Sequence, residues 1–293
     1  MKDFSKINME ASKQNLYNTV DFLTSIYPYR NYKNNESLSK AADYIESELR
    51  KTNLNVSRQK WKAKDQEYEN IIARYQPEKK NRFIIGAHYD VYKEQPGADD
   101  NASSVAGLLE ISRMLTQSKL TLDYGIDFVS FCLEEPPFFK KKEMGSFIHA
   151  KSLNISEKNY LGMIALEMIG YYRDNKHSEN AEHEKNSLIV SGIKKHINFN
   201  KKISLLLKYQ DKIGSRHLTY ADDYKNNGPS DHRNYWQFDV PAVMVIGTGG
   251  HGNPNYHKSS DTIETLDFDI MKDAVESIAF TLFNFKNKSI EFK

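Results

Sequence analysis

Five short apolar runs constrain this chain more than any other feature: 82–88 (RFIIGAH), 126–133 (IDFVSFCL), 162–169 (GMIALEMI), 187–191 (SLIVS) and 241–247 (PAVMVIG). A strand with one face in water alternates apolar and polar residues. These runs are nearly continuous in apolar, largely β-branched residues, so they read as strands covered on both faces. Segments with helical spacing separate or follow them, at 105–115, at 142–153 and at 271–285, where a long amphipathic helix closes the chain. Buried strands separated by helices predict a three-layer α/β/α architecture around a central mixed, mostly parallel sheet. Ligands of such sheets bind where the strands end, at the carboxyl edge.

Upstream of the first run, Leu38, Ala41, Ala42, Ile45 and Leu49 fall on one face of a helix over 37–51, within an N-terminal helical segment of about 8–51. Alternating stretches at 56–61 and 70–75 read as a half-exposed hairpin. No repeat or Pro/Gly/Ser-rich linker divides the chain, so residues 1–293 are expected to form one domain. The polar stretch 173–185 (RDNKHSENAEHEK) reads as a solvated loop, and the lysines at 140–142 as a solvated face.

Composition excludes several classes. Lys plus Arg number 41 against 39 Asp plus Glu, a net charge of +2 that makes no case for nucleic acid or an anionic membrane. No apolar run approaches the roughly 18 residues of a membrane-spanning helix, so no membrane partner is expected. The single cysteine, Cys132, leaves no intramolecular disulfide and no all-cysteine zinc site. It suits a reducing compartment, and the first residues lack the apolar core of a signal peptide. A cytoplasmic location is the expectation, an exported one if a leader has been cleaved.

The chemistry-bearing residues gather just after the buried runs. They are His88 and Asp90, then Asp99, Asp100 and Asn101, then Glu134 and Glu135, then Glu167, then Tyr256 and His257. Two imidazoles and several carboxylates suit Zn²⁺. Singly, each piece has a plainer reading. His88 and Asp90 would be a polar strand end, 99–101 a helix-capping cluster, and Glu134 and Glu135 a solvated loop. Glu167 differs, because a carboxylate inside GMIALEMI is costly to bury without a partner, and a metal is a natural one. Asp90, two residues after His88, is placed to accept the other ring N–H of that histidine.

The order HYD, GADDNAS, EEPP followed by Met144-Gly145-Ser146, LEMIGY, SDH and YHKSSDT resembles the co-catalytic dizinc aminopeptidase family. That family includes secreted bacterial leucyl aminopeptidases, aminopeptidase Y, glutamate carboxypeptidases and, more distantly, glutaminyl cyclases. The likeness runs from about residue 38 to the C-terminal helix. It implies a zinc exopeptidase-like fold and two Zn²⁺ per chain. By the resemblance, His88 is a ligand of one zinc, Asp100 bridges both, Glu135 binds one and Glu167 the other, and His257 completes the set. Glu134 matches the family's general base, and a cis peptide is implied at Asp100–Asn101. Tyr256 corresponds to an oxyanion-stabilising tyrosine in parts of the family, with packing as the alternative. Asp231 and His232 of SDH match a segment near the substrate pocket, with a helix start as the alternative. His232 is not read as a ligand. His251 competes with His257, but the family pattern sets the ligand directly before the SSDT-like segment. Asp99 is read as structural. Two departures stand out: Ser104 where the family often has glycine, and Glu167 where it often has aspartate.

The implied function is a zinc-dependent exopeptidase, an aminopeptidase hydrolysing the first bond of peptides with a free N-terminus. The nucleophile is a two-zinc-activated water, whose pKa a metal lowers to about 7. Glu134 then takes the proton and passes it to the leaving amine. One alternative is a single-zinc glutaminyl cyclase, whose relatives usually lack the full GADDN motif. A dizinc carboxypeptidase, often carrying an inserted domain for which this chain has no spare length, and a non-catalytic binding protein of the same fold are the others.

Overall fold

In the computed structural model, described over residues 10–172, 186–223, 226–247 and 252–286, the five apolar runs form the interior of an eight-stranded sheet. The strands are β1 (Asn55–Ala63), β2 (Gln66–Tyr75), β3 (Asn81–His88), β4 (Gly125–Phe131), β5 (Asn159–Glu167), β6 (Ser187–Ile193), β7 (Gly214–Tyr220) and β8 (Ala242–Gly247). They lie in the order β1-β2-β4-β3-β5-β8-β6-β7. The block β4-β3-β5-β8 is parallel, β1, β2 and β4 pair antiparallel, and β6 pairs antiparallel to β8 and parallel to β7.

Neighbouring residues on each central strand enter opposite layers, as a period of two requires. Phe83, Ile85, Phe128, Ile164, Leu166, Val243 and Val245 face the larger core, which α1 (Lys13–Ser25), α2 (Asn35–Arg50), α3 (Ser104–Ser118), α5 (Ile197–Leu207) and α7 (Phe268–Asn284) cover. Ile84, Val129, Phe131, Met163, Ala165 and Ala242 face the other layer, with α4 (Gly145–Lys151) and α6 (His232–Trp236). Register then positions the site. His88 pairs with Phe131, the last residue of β4, and Gly86 with Ala165 on β5. His88, Glu167 and the chain leaving β4 toward Glu134 therefore reach one edge together.

Several boundaries depart from the sequence reading. The helical segment of about 8–51 is two helices, broken across 26–34 by a stretch with a cis Tyr27–Pro28 bond. The runs at 126–133 and 162–169 outlast their strands. Cys132, Leu133, Met168 and Ile169 stay buried although β4 ends at Phe131 and β5 at Glu167, because the loops around the site are themselves covered. The sequence reading left out β7 and α5. β7 is an edge strand with half-exposed side chains and so has no apolar run. α5 does carry a face, Phe199, Ile203, Leu206 and Leu207. The stretch 173–185 and His251 lie outside the described residues.

The layer behind β4 holds a buried histidine. His149 on α4 is 3% exposed, its Nδ1 is 2.7 Å from the Tyr235 hydroxyl, and burial pushes its pKa down to about 4. An unfolded histidine titrates near 6.5. The native state thus resists a proton that the unfolded chain accepts, and stability present above about 6.5 drains as the pH falls toward 4. The loss attributable to this ring is on the order of 3 kcal/mol. Urea melts of His149→Gln and the parent are expected to converge between pH 6.5 and 4. Parallel curves would remove His149 as the source.

Candidate metal centre

The turn Ala98–Ser103 carries the GADDNAS motif and is non-helical at Asp100 and Asn101, which are joined by a cis peptide. Gly97 opens it at φ 63, where a Cβ would sit 2.4 Å from the Asp100 carbonyl oxygen, so a side chain there would displace Asp100. The turn is held by carboxylates on its own backbone. Asp261, from the SSDT segment, accepts the N–H groups of Asp99 (2.9 Å) and Asp100 (3.1 Å). Asp99 accepts those of Gly170 (2.9 Å) and Tyr171 (3.0 Å) and the Asn253 amide (2.9 Å). Asn101 ties the turn to the end of β5, donating to Leu166 O and accepting from Met168 N, both at 3.0 Å.

The connection from β3 into this turn rests on Arg30, which is fully buried. Its guanidinium donates to the carbonyls of Tyr89 (2.8 Å), Leu23 (2.9 Å), Pro96 (2.6 Å) and Gly97 (2.7 Å). Burial lowers its pKa to about 10 against the pull of Asp261, Asp100 and Asp90, so it stays charged at neutral pH. Sequence reasoning missed Arg30 and Asp261, and read Asn101 within its motif without the tie it makes to the end of β5. Asp261 lay inside a motif already recognised, whereas a lone arginine has no pattern to find.

Two imidazole–carboxylate pairs flank Asp100. His88 Nε2 lies 3.4 Å from Asp100 Oδ1 and 3.3 Å from Glu167 Oε1. His257 Nε2 lies 3.3 Å from Asp100 Oδ2 and 3.3 Å from Glu135 Oε1. Ligand atoms of His88, Asp100 and Glu135 fall within 4.8 Å of one another. Two ligands about 2.1 Å from a tetrahedral zinc are separated by about 3.4 Å, so these gaps are tetrahedral edges. Asp100 Oδ2 and His257 Nε2 are buried with no hydrogen-bond partner. Unfilled acceptors at such spacing, one carboxylate oxygen to each side, fit a pair of zinc ions.

The surrounding groups divide by contact. Glu134 Oε2 is 4.0 Å from His88 Nε2, farther off than Glu167. Asp90 receives the N–H groups of Glu134 and Glu135, both at 3.1 Å, one on each carboxylate oxygen. The ring Nδ1 of His88 meets the main-chain oxygen of Asp90 at 3.1 Å, while the nearer carboxylate oxygen stands at 3.6 Å. The expected ring contact to the carboxylate is thus taken over by the carbonyl, because both carboxylate oxygens are aimed at the Glu134 and Glu135 backbone. Ser230 donates to Glu167 Oε2 at 2.5 Å. Tyr256 is half-exposed and stacked on His257, with ring centroids 3.8 Å apart.

Asp231 and His232 lie beneath this set and line none of the described cavities that open on it. Burial pushes Asp231 up to about 7, with Glu167 and Asp90 adding to the shift and His88 opposing it. His232 packs edge-on to Trp236, and burial pushes it down to about 3, so it is neutral. They open α6, whose first residues turn inward, so Asp231 acts on His88 and Glu167 from behind them. Ser104, the departure from glycine, is buried at the start of α3, its hydroxyl without a partner.

Electrostatics mark the site as anion-rich. Burial, then the charges of Glu135, Asp231 and Glu167, push the Glu134 carboxyl well above its ordinary range, against His88. Burial and Asp100 do the same to Glu135. Burial alone would raise Asp100, but the His257 and His88 rings outweigh it and hold that carboxyl below its usual range. Burial alone would depress His88, and the facing Glu167, Asp100 and Asp90 lift it well above an ordinary imidazole. Crowded carboxylates of this kind call for cations.

Three cavities meet here. A pocket of about 230 Å³ is lined by the cluster together with Met168, Ile189, Leu218, Met244 and Ile246. A second, of about 380 Å³, shares Glu134, Glu135 and Tyr256 with the first and adds Pro136 and His257. A third, of about 650 Å³, shares Pro136 and His257 with the second and runs out along Tyr32 and Tyr92.

A family model described as peptidase family M28 matches residues 70–282. The chain is 36% identical to the uncharacterised protein YfbL of Escherichia coli, over 94% of this chain and 89% of that one. Among solved structures, BSAP, described as a zinc aminopeptidase from Bacillus subtilis, superposes with a TM-score of 0.79 at 16% identity, covering 97% of this chain and 98% of that one. A Bacteroides thetaiotaomicron glutaminyl cyclase bound to N-acetylhistamine superposes at 0.72 with 21% identity, covering 94% and 98%. The fold with its mixed sheet and helices on both sides is thus shared by peptidases and cyclases alike.

Proposed function

The chain belongs to peptidase family M28 and is by that membership a hydrolase, and from this premise we propose that it is a two-zinc aminopeptidase acting on peptides with a free N-terminus. One observation carries the reading: the two oxygens of Asp100 each face a different imidazole–carboxylate pair. His88, Glu167 and Asp100 would hold one ion, and His257, Glu135 and Asp100 the other. The pair, when bound, supplies polarisation of the scissile carbonyl and an ionised water at neutral pH.

The remaining work belongs to the chain's own groups. Glu134 stands off from the ligands and is the general base, taking a proton from the attacking water and delivering it to the leaving nitrogen. Asp90 fixes the direction of Glu134 by gripping its backbone N–H. Burial pushes the Tyr256 phenol up, and it stays a hydrogen-bond donor toward a developing oxyanion. The neighbouring carboxylates give a free α-amino group its counter-charge. Met168, Ile189, Met244 and Ile246 would receive an aliphatic N-terminal side chain in the 230 Å³ pocket.

The glutaminyl cyclase likeness keeps a second reading in view, that of a single-zinc cyclase. Metal content and a substrate panel separate them. Purified protein is expected to carry about two zincs per chain, to hydrolyse leucyl and methionyl chromogenic amides faster than lysyl or glutamyl ones, and to leave N-terminal glutamine uncyclised. One zinc with cyclisation and no hydrolysis would replace the proposal by the cyclase.

A further inference from the structure

The three cavities adjoin one another, and their shared residues set their order. The apolar pocket and the middle cavity have Glu134, Glu135, Tyr220, Pro229 and Tyr256 in common. The middle cavity and the large cleft have Pro136 and His257 in common, while the apolar pocket and the large cleft share none. A peptide with its first side chain in the apolar pocket has its scissile bond beside Glu134. The rest of the chain continues past Pro136 and His257 into the large cleft.

That cleft has a definite chemistry. Its walls are Tyr32, Tyr92, Pro136 and Pro137, and its cations are Lys33 and Lys93. A third, Lys64, stands over the Tyr32 ring at 5.2 Å from its centroid. Among the described residues, none of the three lysines has a carboxylate within ion-pair distance, and each lies over an aromatic ring. The one acidic lining residue, Glu94, has an oxygen taken by the Asn31 amide at 2.9 Å. Gln95 also lines the cleft. It is 2% exposed, and neither its Oε1 nor its Nε2 has a hydrogen-bond partner. A buried amide left in that state is costly, and it sits beneath the cleft floor, out of direct reach of an occupant.

We propose that the large cleft binds the leaving portion of the substrate and favours peptides with acidic side chains after the first two residues. This rests on the aminopeptidase reading and adds to it a substrate class. Exposed charges contribute modestly and are screened by salt, so the preference is one of affinity and ionic strength.

The test uses the zinc-loaded full chain with Leu-Gly-Asp-Asp-amide, Leu-Gly-Lys-Lys-amide and a leucyl chromogenic amide too short to enter the cleft. At low salt the acidic peptide is expected to exceed the basic one in kcat/KM by about 3- to 10-fold, mostly through KM, with the gap closing at high salt. In the Lys33→Glu, Lys93→Glu double variant the ratio of the two peptides should fall below one, each rate being referred to that variant's own chromogenic-amide rate. Hydrolysis of the chromogenic amide with a ratio near one in the parent, or a ratio the double variant does not move, overturns the inference and leaves the aminopeptidase reading standing. Absence of hydrolysis of all three substrates overturns both.

Discussion

Glu134→Gln is expected to keep its zinc and lose about 10²- to 10⁴-fold in kcat, with KM for a leucyl amide little changed. The substitution preserves volume, and the Asp90 carboxylate grips the backbone of residue 134 rather than its side chain, so the loop leaving β4 should hold its course. The carboxamide cannot accept the proton that the carboxylate takes. Zinc per chain and steady-state kinetics, measured on one preparation, separate the outcomes. Turnover near the parent's would remove Glu134 as the base. Zinc lost in step with activity would make it a ligand instead.

Stripping the metal should cost both turnover and stability. Four carboxylates, Asp100, Glu134, Glu135 and Glu167, are buried around two imidazoles, and their mutual repulsion is what the cations relieve. A ligand held at a thousand times its Kd stabilises the native state by about 4 kcal/mol. For a chain of this size that is a melting shift of about 6 °C. Chelator-treated protein is therefore expected to be inactive and to melt about 6 °C lower, with both properties restored by added zinc. Asp100→Asn has one carboxylate oxygen fewer for the two half-sites. It should bind at most one zinc and regain only a fraction of the shift. A melting temperature indifferent to chelator in the parent would count against a resident metal.

What the sequence revealed and what it hid follow from the same physics. Strands buried on both faces advertise themselves, which is why β3, β4, β5, β6 and β8 were legible as apolar runs. β7 sits at the sheet edge with polar side chains and left no such trace. Among site residues, Glu167 was conspicuous because a carboxylate inside an apolar run demands an explanation. His232 sits in the same motif as Ser230, which reaches Glu167, but its own ring packs on Trp236, a difference no motif spells out. Asp90 lay in a recognisable position, but only coordinates reveal which backbone its two oxygens hold. A group that acts by binding main-chain atoms from a distant segment, such as Arg30, leaves no spacing rule to read.

The matched family region begins at residue 70, yet Arg30 from the N-terminal segment ties three carbonyls, those of Tyr89, Pro96 and Gly97, along the path from His88 to Asp100, and joins them to Leu23 on α1. A fragment trimmed to that region would carry every proposed ligand and lack the cation that threads their connecting loop into place. The opening helices are thus scaffolding for a centre whose sequence motifs all lie downstream. The ribosome delivers that brace before any of the groups it will align.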